Sequence, residues 1–155
     1  MITDEQKQEN YIQLKIDLKK AMNCHFWFEA CMIEYAIIED RTSSILSHAG
    51  VCKDAYSSSK KLSNKLNSIE YQIDKKHPII SKKVSVDTIR EIKKWKDLRN
   101  DLVHRSCICI YDKEAIASIA SDGKRLVDLI SNDSKKVTRL ANKMTAISGK
   151  EKCRL

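Results

Sequence analysis

The stretch "WKDLRNDLVHRS", residues 95–106, places an arginine where an amphipathic helix should carry a core residue. With Arg99 at the origin of a wheel of about 100° per residue, Ile92 falls at about 20°, Trp95 at about 320°, Leu102 at about 300° and Val103 at about 40°. That period is helical, not the alternation of a strand, and its apolar arc straddles Arg99 and turns it inward. A guanidinium buried alone costs several kcal/mol, so Arg99 requires either an acidic partner or a wet cleft.

Helical periodicity continues outward on both sides. "TDEQ" sets Thr3 three residues before Gln6, a capping-box pattern that opens a first helix to about Lys20. A second run, about Cys24–Ala49, aligns Trp27, Cys31, Tyr35, Ile38, Thr42, Ile45 and Ala49 on one face, with Gly50 as its stop; the two runs can also be read as one bent helix. Residues 57–74 carry a thin stripe of Leu62, Leu66, Ile69 and Ile73, expected on the surface and ended by Pro78. The helix holding Arg99 starts near Ser85 or Asp87. A last region, about Asp112–Ile147, keeps a seam of Ile116, Ile119, Leu126, Ile130, Val137, Leu140, Met144 and Ile147, with Gly123 and "SND" at 131–133 as candidate breaks.

Three glycines and one proline in 155 residues leave too few turn residues for a sheet. The expected fold is therefore all-α, an antiparallel bundle of four to six helices in a single domain over residues 1–148, with 149–155 a disordered basic tail. No apolar run of about twenty residues and no signal-peptide pattern occur, which predicts a cytoplasmic protein without a membrane partner. The six cysteines form no CxxC pair and read as reduced, mostly buried thiols. His104, Cys107 and Cys109 in "HRSCIC" raise a metal site as the alternative to small apolar packing, but the spacing lacks a second cluster, and no metal or cofactor is expected.

The net charge of +8 is uneven: residues 1–50 carry eight acids and five bases, leaving the excess of base to residues 51–155. Such a surface suits a polyanion, above all nucleic acid, or is a solvated lysine-rich face. Glu34, beside the seam of the second run, is the candidate structural partner of Arg99. His104 lies at about 140° from Arg99, near Asn100 at about 100°, so only the long arginine side chain can bring the two together.

"RNDLVH", Arg99–His104, resembles the R-x4-6-H signature of the HEPN superfamily, including the polar residue commonly found after the arginine, here Asn100. The earlier segment "EYAIIEDRTSSIL", Glu34–Leu46, is similar to the first long helices of prokaryotic HEPN proteins, and the resemblance spans about residues 24–146. It implies a HEPN-like helical domain and a metal-independent endoribonuclease, a hydrolase of RNA in a toxin–antitoxin or antiviral defence setting. It also implies a homodimer that joins two motifs in one cleft, with an antitoxin or defence-system protein as a further partner. Arg99, His104 and Asn100 would be the catalytic set, with Lys93, Lys94, Lys96 and Arg105 tracking the RNA backbone. One toxin group carries R-x4-H-x-Y; here Ser106 stands at that tyrosine's position, so control through it is not implied. The alternative function is a non-catalytic helical module that binds nucleic acid or a partner protein through its basic surface.

Overall fold

A computed structural model describes residues 3–56, 61–106, 108 and 112–152. Among these the protein is all-helical, with α1 (Asp4–Asn23), α2 (Trp27–His48), α3 (Leu62–Asp74), α4 (Ile80–Lys83), α5 (Val86–Arg105) and α6 (Lys113–Lys152). No helix of the described residues is long and apolar enough to cross a membrane.

Local chemistry sets the helix ends. Thr3 and Gln6 form the full capping box of α1. Ser85 Oγ accepts from Thr88 N at the start of α5, and Asp112 Oδ1 accepts from the amides of Glu114 and Ala115 at the start of α6. Three helices end in paired 6→1 and 5→2 backbone bonds around a residue of positive φ: α1 at His25, α2 at Gly50 and α3 at Lys76. The first of these turns divides what could have been one bent helix into α1 and α2.

The chain forms two compact units, whose boundaries fall inside α2, α5 and α6. The first comprises Met1–Ile38 and Ile92–Val127. Its buried residues include Leu18, Ala30, Cys31, Ile37, Ile92, Trp95, Ile116, Ala120 and Leu126. Trp95 satisfies its indole N–H on the carbonyl of Ile119 at 2.9 Å, tying α5 to α6.

The second unit comprises Glu39–Glu91 and Asp128–Leu155. Leu62, Leu66 and Ile69 of α3 are fully buried in it, so the stripe expected on the surface is a core face. Each such side chain contributes about 1.5–3 kcal/mol by leaving water. The "SND" segment does not break α6. Asp133 instead accepts from the Ser85 amide at 3.2 Å, and the next residue, Ser134, donates to Ser44 Oγ at 3.2 Å, so these polar residues serve contacts with α5 and α2. The seam of α6 closes at Ala141: Met144 and Ile147, expected inside, are 43 and 59% exposed. The helix continues to Lys152, beyond the point where a disordered tail was expected; residues 153–155 lie outside the described ones.

Candidate functional site

Arg99 is half-buried on α5 in the first unit. Its guanidinium stacks over the Tyr35 ring of α2, with Cζ 4.5 Å from the centroid. Nη1 donates to Asn100 Oδ1 at 3.1 Å and Nη2 lies 2.7 Å from Met32 Sδ, whereas Nε is buried with no acceptor. The side chain is thus held by a π face, an amide and a thioether, with no carboxylate hydrogen-bonded to it among the described residues.

The expected pairing with Glu34 is therefore corrected. Glu34 is fully buried, and neither of its carboxyl oxygens has a hydrogen-bond partner among the described residues. One residue step on α2, about 100°, separates the face that Tyr35 gives to Arg99 from the face that Glu34 gives to α6. There the carboxyl lies against Gly123: a Cβ at that position would meet Glu34 Oε2 at 2.0 Å and the Trp95 ring at 2.8 Å. Gly123 does not interrupt α6 but leaves room for the carboxyl beside its backbone. Burial pushes the Glu34 carboxyl up to about 8, against a downward pull from Lys124, so it is largely protonated at neutral pH. Burial foremost, and then Glu34, pushes the Cys31 thiol up to about 12, with Arg99 pulling it down; it is a poor nucleophile.

His104 is exposed in the last turn of α5, five residues beyond Arg99, and makes no side-chain hydrogen bond among the described residues. Asn100 is half-buried and in direct contact with Arg99. Of the lysines expected to track RNA, Lys93 is half-buried and Lys94 exposed, while Lys96 bonds to Asp97. Arg105 pairs with Asp101 at 3.5 Å in an exposed i,i+4 contact, a geometry worth little in water. Tyr35 and Met32, which hold Arg99, were absent from the sequence-derived set. Tyr35 was already visible on the inward face of α2, where an aromatic can receive a cation.

Cys107 and Cys109 lie outside the described residues, among which no three His, Cys, Asp or Glu side chains are grouped as metal ligands. Of the thiols described, Cys31 is buried, Cys52 half-buried and Cys24 exposed, a more open distribution than expected. A histidine contact does occur in the other unit, where His48 Nδ1 is 3.2 Å from Ser44 Oγ. The same nitrogen is 2.8 Å from the Ser44 carbonyl, to which it must donate, so it cannot serve as a base toward that hydroxyl. Compared with known proteins, the chain matches no family model, no curated protein and no solved structure.

Proposed function

We propose that the protein is a metal-independent endoribonuclease of the HEPN type, with Arg99 and His104 as its catalytic pair and Asn100 as an auxiliary. The observation that carries this reading is the half-buried guanidinium of Arg99, which is held in place without a hydrogen-bonded carboxylate. An arginine positioned in this way retains its charge for an anion, and its planar fork suits two phosphate oxygens.

RNA carries its own nucleophile, the 2′-hydroxyl beside the scissile phosphate. Cleavage then needs a proton taken from that oxygen, a proton given to the departing 5′-oxygen, and positive charge at the phosphorane-like transition state. An imidazole exchanges protons near neutral pH, and His104 is open to solvent on the same helix as Arg99. Two copies of the motif in a homodimer would divide the two proton transfers. DNA lacks the nucleophile and should remain intact. A toxin or defence role, with a cognate partner restraining the enzyme, is part of the same proposal.

The test is incubation of purified protein with end-labelled single-stranded RNA in excess chelator. Expected are discrete cleavage products, lost in Arg99→Ala and in His104→Ala while the helical circular-dichroism spectrum is retained, and no cleavage of DNA of the same sequence. Binding without cleavage by the wild type would overturn the enzyme and favour the adaptor module, which the excess of base in residues 51–155 supports.

A further inference from the structure

The residues assigned to catalysis and to backbone contact all belong to the first unit, which carries twelve bases against eleven acids. The second unit carries seventeen against ten, so nearly all of the chain's net positive charge lies there. Within that unit the charge is ordered along α6. Between Asp133 and Glu151 the chain has five basic residues and no acidic one.

Lys135, Lys136, Arg139 and Lys143 are all exposed. With Lys135 at the origin, Arg139, Lys143 and Lys136 follow at about 40°, 80° and 100°, so the four share a narrow arc. The buried side chains Ile130, Val137, Ala141 and Ser134 lie on the opposite face, which fixes the basic arc outward. Lys136 bonds to Asp133 at 3.1 Å, but Lys135, Arg139 and Lys143 make no ion pair among the described residues. These three are spaced i, i+4, i+8, about 6 Å apart along the axis, close to the separation of consecutive phosphates on a nucleic-acid strand.

We propose that the arc Lys135–Arg139–Lys143 on α6 is a binding surface for the phosphate backbone of RNA. A lipid surface is disfavoured because residues 128–152 contain no aromatic side chain to anchor at a membrane interface. The same lack removes the stacking platforms that single-strand binders use, so the surface grips phosphates of a folded RNA without reading its bases. The choice of RNA rests on the nuclease reading; the position of the surface does not.

The test is fluorescence anisotropy of a labelled RNA hairpin over a series of salt concentrations. It compares the wild type, the triple variant Lys135→Gln/Arg139→Gln/Lys143→Gln, and a charge-matched control, Lys19→Gln/Lys53→Gln/Lys61→Gln, at three other exposed lysines. Each released phosphate contact removes about 0.7–0.9 from the slope of log K against log salt, so the α6 variant should lose about 2–3 in slope and bind at least about tenfold more weakly at moderate salt. The control should keep the wild-type slope. An equal loss in both variants, or none in the α6 variant, would overturn the proposal, as would arc-dependent binding to phosphatidylserine vesicles without RNA binding. His104→Ala, which removes a proton-transfer group and no phosphate contact, provides the separation from the nuclease reading: it should abolish cleavage and leave the salt slope unchanged, so either reading can fail while the other stands.

Discussion

Glu34 lies inside the first unit with both carboxyl oxygens lacking donors, and burial rather than a neighbouring charge dominates its ionisation. Keeping the proton avoids placing a bare carboxylate in a low-dielectric surround. The folded state then binds a proton that the unfolded state releases from about pH 4.5, so stability is fully present below that pH and declines as pH rises to about 8, where the folded carboxyl also ionises. Glu34→Gln removes this titration at almost unchanged shape. Urea denaturation at pH 5 and pH 8 should show the variant gaining stability relative to wild type between the two, by several kcal/mol. An offset independent of pH would mean that Glu34 is already ionised in the fold.

The helices depend on two positions where a small backbone requirement outweighs ordinary propensity. Gly→Ala in an exposed helix interior adds about 1 kcal/mol, yet at Gly123 the new methyl would press on Glu34 and Trp95. Gly123→Ala is therefore expected to destabilise by about 1–3 kcal/mol, an overpacking cost that Glu34→Ala in the same chain should partly relieve. A double-mutant cycle by chemical denaturation measures that coupling. Conversely, Lys76 ends α3 at φ 55°, a conformation that penalises a side chain. Lys76→Gly should stabilise by about 1 kcal/mol, raising Tm by about 2–4 °C. These positions also mark what periodicity reveals. The helical class, the caps at Thr3, Ser85 and Asp112 and the stop at Gly50 depend on neighbours within a few residues and are legible in the chain. The fates of Glu34, Gly123 and "SND" depend on which helix lies opposite, and a one-residue turn of α2 separates a salt bridge from a protonated core acid. The inward turn of Arg99 was likewise legible, whereas its partner Tyr35 came from another helix.

For the whole molecule, the nuclease proposal makes a demand that no single chain can meet. If two R-x4-H motifs from a twofold pair form one cleft, the functional unit is the dimer, and its dependence on subunit composition follows from symmetry. Consider wild type mixed with an equal amount of Arg99→Ala/His104→Ala and allowed to exchange subunits fully. A quarter of the dimers are then wild type in both halves and half are mixed. Where both copies of the motif are required, the mixed dimers are dead, and total activity falls to about one quarter of that of the same total protein as wild type. Where each chain acts alone, activity falls only to about one half. Initial cleavage rates over a range of mixing ratios separate the two, because the first case follows the square of the wild-type fraction and the second is linear. A linear dependence would leave Arg99 and His104 of one chain to act on their own, across the roughly 140° that separates them on α5. That arrangement would require the arginine side chain to leave the Tyr35 ring, so Tyr35→Ala would then be expected to raise activity by freeing it. In the composite site the same substitution loosens a guanidinium that must be held still, and the cleavage rate should fall by about tenfold or more.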